Sequence, residues 1–285
     1  MSHKNGFTRR TLIKGAGLAA ATGWMGAPAG ADDGDLLQQI KKRGYMRVGT
    51  FNEPPECWID MTSGLWSGFD ADYVNSVAKS IGVEVDAVVI AYSALAPALD
   101  SGRLDSVIGM LKTAERLKVM AYTNSPMWYG PDVVVTQKSN TALASLKDLQ
   151  GKNLGTIRGS AQEAEAQGIK KQYGVAEIRS YDTPDAMLLD VRAGRIDGGV
   201  WFGFAYDYAA KQNPDYELRV VEYLSPSLLN LDKLPGAYPV FSKNGTASLI
   251  AAFDAEIDRL HASGEGAKIM AKYGLTDPSY VTGVK

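Results

Sequence analysis

Strand-like and helix-like segments alternate along this chain, and the alternation runs through twice. In the first pass "YMRVGT" reads as a strand. "DADYVNSVAKSIG" reads as a helix, with Tyr73, Val74, Val77, Ala78 and Ile81 at helical spacing. "VEVDAVVI", "YSALAPALDSG" and "LDSVIGM" continue as strand, helix and strand, followed by a short helix, "TAERLKVMA", and an extended strand, "DVVVTQK". The second pass runs "KNLGTI", "SAQEAEAQGIKKQYG", "AEIRSY", "TPDAMLLDVRAG", "RIDGGVWF", "GFAYDYAAKQ" and "YELRVVEYL". "FNEPPECWIDMTSGLWSG" reads as a Pro-rich loop, and the chain ends in helices. Such alternation requires an α/β fold with a largely parallel sheet in each half. Two halves of this kind leave a cleft between them, faced by the C-terminal ends of the strands, where open sheets bind ligands.

A length of 285 residues fits two such halves. Before them, "FTRRTLIKGAGLAAATGWMGAPAGA" carries paired arginines, a mildly apolar stretch and small residues suited to cleavage. Residues 1–31 are therefore expected to be a twin-arginine-type export signal cleaved near Ala31, which makes the periplasm the expected compartment. The charged residues of that segment are all basic, so the body is more acidic than the net charge of −2 of the full chain. An acidic body argues against nucleic-acid binding. Cys57 is the single cysteine and lies far from the cleavage region, so neither an internal disulfide nor a lipid anchor on a first-residue cysteine is expected. His3 and His261 are the only histidines, which excludes a multi-histidine metal site. No metal and no cofactor are expected.

Several stretches stand in an order and spacing that resemble the polar-amino-acid family of periplasmic solute-binding proteins. They include "GFDADYVNSVAKSIGVEV", "LAPALDSGRLDSVIGM", "TAERLKVMAYTNSPMWYG", "SLKDLQGKNLGTIRGSAQE" and "EGAKIMAKYGL", and they span roughly residues 35–275. The resemblance implies two α/β lobes joined by hinge strands. Lobe one would take residues 35–132 and 236–285, and lobe two residues 133–235. It also implies a monomeric receptor that closes on a small solute and hands it to the membrane permease of an ABC transporter, with no catalysis. Two alternatives stand beside it: a cyclohexadienyl-dehydratase-like enzyme in the same cleft, with Glu53 or Glu163 as general acid, and a receptor-like accessory protein of a periplasmic oxidoreductase or sensor.

The resemblance also assigns site residues. Arg116 matches the arginine that grips the ligand carboxylate, a role its planar fork suits. Gly109 matches a position of close backbone approach, and Leu111 stands where the family has Thr or Ser. Ser160 falls at a helix N-cap able to face an anion. Tyr92 and Trp58 are expected to add aromatic surface, Arg158 to reach the cleft, and Glu53 to supply negative charge. Phe202 replaces the aspartate that usually meets the α-ammonium. The expected ligand is thus a small carboxylate-bearing solute, an amino acid or a related organic acid, aromatic acids included.

Overall fold

The computed structural model describes residues 34–226 and 231–284; the expected export signal lies outside the described residues. Helix α1 (Leu36–Arg43) starts where the Asp35 carboxylate accepts from the Leu37 N–H, and it buries Leu37 and Ile40. Strand β1 (Tyr45–Thr50) follows. The Pro-rich loop contains a small antiparallel hairpin, β2 (Trp58–Ile59) with β3 (Trp66–Ser67). Two-residue strands carry no periodicity, so no pattern marks them in the sequence. Helix α2 (Phe69–Ile81) buries Phe69, Tyr73, Val74 and Val77. Then come β4 (Glu84–Val89), α3 (Tyr92–Asp100) and β5 (Ser106–Met110). Helix α4 (Ala114–Val119) is shorter than expected, because the chain leaves it at Met120 to form the edge strand β6 (Met120–Tyr122). Strand β7 (Trp128–Tyr129) closes the first half.

The second half holds β8 (Asp132–Gln137), a single 3-10 turn at Leu146–Leu149, β9 (Asn153–Ile157) and α5 (Ala161–Tyr173). It continues with β10 (Glu177–Tyr181), α6 (Pro184–Arg192), β11 (Gly198–Phe202), α7 (Gly203–Gln212) and β12 (Leu218–Tyr223). The chain then returns to the first sheet as β13 (Gly236–Ser242), and α8 (Ala247–Ala262), α9 (Glu265–Lys272) and α10 (Ser279–Thr282) pack outside it.

The first sheet has the order β4-β1-β5-β13-β6, with β7 also on β13; the second has the order β10-β9-β11-β8-β12. In both, three neighbouring strands are parallel and the rest antiparallel. The expected largely parallel sheets are therefore mixed. The physical reason lies in the crossings: β8 and β13 arrive from the opposite half and run against the strands they join. A large apolar core underlies the first sheet, one face of the second and the contact between them, and a smaller one packs Leu143, Leu146, Leu149, Leu154 and Ile169 on the other face of the second. The ends of β1 and β11 meet, with the Phe51 and Phe202 ring centroids 6.2 Å apart.

Candidate functional site

Arg116 stands one turn into α4. Gly109, near the end of β5, turns the chain at φ +69°, a left-handed conformation that glycine adopts without strain. The Thr113 hydroxyl then caps α4 by accepting from the Arg116 N–H at 3.2 Å. The guanidinium that results is a bridge. Its Nη1 donates to the Leu111 carbonyl at 3.0 Å and its Nη2 donates across to the Gly159 carbonyl, after β9, at 2.8 Å. Its Cζ lies 6.0 Å from the Tyr92 ring centroid. Gly159 has φ +74°, and Ser93 Cα lies 3.5 Å from where a Cβ would sit on it, so the two halves meet closely here.

Ser160 occupies the N-cap position of α5, as expected, but its hydroxyl does not cap. It donates to the Ile157 carbonyl at 2.6 Å. Glu163 accepts the Gly159 N–H at 2.8 Å and the Ser180 hydroxyl, so it braces the turn that Arg116 touches. Two expected site residues are placed elsewhere. Arg158 is exposed and engages Asp182 and the Ser180 carbonyl at the sheet edge, because β10 and the residue that follows it lie beside it there and offer the two acceptors. Trp58 lies on the β2–β3 hairpin and packs edge-on against Tyr273, with centroids 6.0 Å apart.

Aromatic rings fill the middle of the cleft. Phe51 meets Tyr92 edge-on, Phe202 stacks on Phe204, and Trp128 packs against Phe204. They leave an inner cavity of about 20 Å³ bordered by Tyr92, Gly109, Leu111, Trp128, Asp132, Gln162 and Phe202. An outer cleft of about 910 Å³ runs between α5 and the turn at Leu111, Lys112 and Thr113, with Glu165, Tyr129 and Tyr238 on its walls.

Apart from Glu53, the buried acids are the feature that motif reading missed. Glu53, Glu56, Asp70 and Asp132 are all buried, and Glu165 is largely so. Asp70 Oδ1 accepts from Trp128 Nε1 at 2.7 Å, and Asp132 Oδ1 accepts from Gln162 Nε2 at 2.8 Å. Glu56 Oε2, Asp70 Oδ2, Asp132 Oδ2 and Glu165 Oε2 are buried without a partner from a donor group. Glu56 neighbours Asp70, and Glu165 neighbours Asp132, as two carboxyl pairs. Loss of water raises all of these acids toward the neutral form. Asp70 rises to about 7 and Asp132 to about 6, held back by the indole and amide that donate to them. Glu53 rises well above the ordinary carboxylate range. The Trp201 indole, beside it without a complete hydrogen bond, opposes this, and Asp185 adds to it. Glu56, Cys57 and Asp70 also place one donor atom each within 4.8 Å of one another. Burial pushes the Cys57 thiol up, away from the thiolate that a metal would prefer.

The profile of the bacterial extracellular solute-binding proteins, family 3, matches residues 46–276. The chain belongs to this family. Among curated relatives, the L-cystine-binding protein TcyJ of Escherichia coli (strain K12) is 27% identical over 189 residues, which are 66% of this chain and 70% of that protein. The L-arginine-binding protein of Pseudomonas aeruginosa is 27% identical over 236 residues, 80% of this chain and 87% of its own length. Among solved structures, an ancestral arginine-binding protein bound to arginine superposes with a TM-score of 0.72 at 29% identity, over 81% of this chain and 99% of that one. The ancestral amino acid-binding protein AncCDT-1, a precursor of cyclohexadienyl dehydratase, gives 0.72 at 26% identity, over 83% and 98%. The family fold has two lobes, and the two sheets of this solute-binding protein are their centres.

Proposed function

We propose that this protein is the periplasmic solute receptor of an ABC uptake transporter and closes two lobes on a small carboxylate-bearing solute. Lobe one comprises residues 35–132 and 236–285, and lobe two residues 133–235. The observation that carries the reading is the Arg116 guanidinium, which reaches from Leu111 to Gly159 and so joins both halves through one cation. A carboxylate entering there takes over the same fork with two charge-assisted bonds. The first free N–H groups of α5, after Ser160, face the same turn and favour an anion. Gly109 keeps the backbone open, while Tyr92, Leu111 and Phe202 supply an apolar wall.

A thermal-shift screen of amino acids and organic acids tests this. A solute at 100 times its dissociation constant adds about 2.7 kcal/mol, roughly 5–10 °C for a protein of this size. Arg116→Ala abolishes that shift for acids while its own melting temperature stays near the parent value. An unchanged affinity in that variant refutes the clamp.

A second reading rests on Glu53. A buried carboxyl kept neutral, as Glu53 is next to the Trp201 indole, is the form a general acid needs. Incubation with prephenate or L-arogenate, followed by absorbance of an aromatic product, decides it; no product removes the dehydratase reading.

A further inference from the structure

Glu53 stands on the loop between β1 and β2, and its start is fixed there by the first half of the molecule. Its N–H donates to the Cys57 carbonyl at 2.7 Å, and the Cys57 N–H donates back to the Glu53 carbonyl at 3.0 Å. The residue is only 4% exposed, and its cover comes from the second half. The Trp201 indole of β11 lies beside the carboxyl, and Asp185 faces it from the first turn of α6. Tyr216 faces it from the segment just before β12, and Glu56 from its own loop. Glu53 has no ion-pair partner among the described residues, and Arg192 on that side is engaged by the Tyr216 hydroxyl at 3.1 Å and by Glu217. Trp201 Nε1 is buried without a complete hydrogen bond. A buried donor and a buried carboxyl, one from each half, thus face each other.

This juxtaposition favours one charge state. A neutral carboxyl leaves water at modest cost, and its carbonyl oxygen can accept from the indole. A carboxylate gives up its hydration with no cation to replace it, and it meets the acids Asp185 and Glu56. Opening of a hinge carries Trp201, Asp185 and Tyr216 away with the second half and returns Glu53 to water, where its ordinary value is 4.5. With the halves in contact it stands well above that value, chiefly through burial. Between the two values the closed form keeps a proton that the open form has released. Rising pH therefore favours the open form, by up to about tenfold per pH unit.

We propose that Glu53 is a proton-operated latch between the lobes: its neutral side chain, set against Trp201, holds the lobes together, and its ionisation releases them. This rests on the two-lobe closure of the receptor reading. Glu53 acts here as a positioning residue and needs no contact with the solute. Closure, and with it retention of a solute, is stronger in acid than in alkaline surroundings.

Small-angle X-ray scattering of the protein without added solute, at pH 5, 6, 7 and 8 and constant ionic strength, tests it. The parent is most compact at pH 5, and its radius of gyration grows with pH as the open form gains up to about tenfold per unit. Glu53→Gln keeps a neutral side chain of nearly the same shape and stays compact across the range. Near-UV circular dichroism confirms that the variant is folded. A parent whose radius of gyration is constant from pH 5 to 8 overturns the inference. A variant that expands with pH as the parent does also overturns it, and assigns the change to another buried acid such as Asp132. So does a variant as expanded at pH 5 as the parent at pH 8, because a neutral side chain then does not hold the lobes. The readout needs no solute, which separates it from the thermal-shift screen. A pH-dependent opening that Glu53→Gln removes, together with a screen that finds no solute, leaves the latch standing and removes the receptor reading.

Discussion

Replacing Asp70 by Asn should stabilise this protein at alkaline pH and change little at acid pH. Asp70 is fully buried in the first turn of α2, accepts from the Trp128 indole at 2.7 Å and shares a hydrogen bond with the neighbouring Glu56 carboxyl. An amide oxygen keeps that bond, and the amide nitrogen can donate to the neighbouring Glu56. Burial raises Asp70 from 3.8 to about 7, so between these values the folded state holds a proton that the unfolded state has released. The folded state binds more protons there, and stability falls as pH rises. Each pH unit in this window costs up to about 1.4 kcal/mol, which sets a ceiling of about 4 kcal/mol above pH 7. For a protein of this size that is roughly 8–16 °C in melting temperature. Glu56 titrates alongside; without the Asp70 charge its own penalty shrinks, which widens the gap in the same direction. Thermal unfolding of parent and Asp70→Asn at pH 4, 5, 6, 7, 8 and 9 reads the effect. The curves converge near pH 4 and separate up to about pH 7; above it any further widening comes from Glu56. A gap that is constant from pH 5 to 8, or a variant less stable at pH 8, refutes the reasoning.

Gly109→Ala forces a Cβ to 2.4 Å from Glu56 Oε1 and 3.2 Å from Asp70 Oδ2, so these buried acids must shift, and it holds an alanine at a left-handed φ. We expect a loss of about 2–3 kcal/mol in urea unfolding; a parent-like midpoint would mean that β5 relaxes freely. Asp105→Ala removes the acceptor shared by the Arg43 and Arg47 side chains and the Arg47 N–H, which ties α1 and β1 to the turn before β5. The expected cost is about 3 kcal/mol by the same assay, because a backbone donor and part-buried guanidinium groups lose their partner.

The alternation of elements was legible because it rests on local patterning. Helix α7 runs over the same ten residues that its sequence segment suggested, and α2 starts one residue earlier, at Phe69, and ends at Ile81, just before the segment's closing Gly82. The β2–β3 hairpin and β6 were not legible, since two or three residues cannot display a period, and β6 pairs only with the distant β13. Arg116 could be singled out from its turn, but its carbonyl partners could not, because main-chain oxygens leave no mark in a sequence. The buried acids were illegible for a different reason. Asp132 opens a strand and Glu165 sits in the polar run "AQEAEAQG", settings in which carboxylates are ordinarily solvated. Only closure of α5 against β8 brings them together under one roof. The exposed destination of Arg158 follows likewise from the neighbouring strand and not from its own segment.

The two carbonyls on the Arg116 fork act as an occupant already in place. Any incoming group must trade against the Leu111 and Gly159 oxygens, not fill a vacancy. A neutral amide or hydroxyl oxygen offers the guanidinium no more than it already has, so the exchange yields nothing. A carboxylate brings a full negative charge and roughly doubles the strength of each bond. In the proposed receptor the fork would thereby work as a threshold, indifferent to neutral acceptors and responsive to anions, with that discrimination set by its own backbone carbonyls.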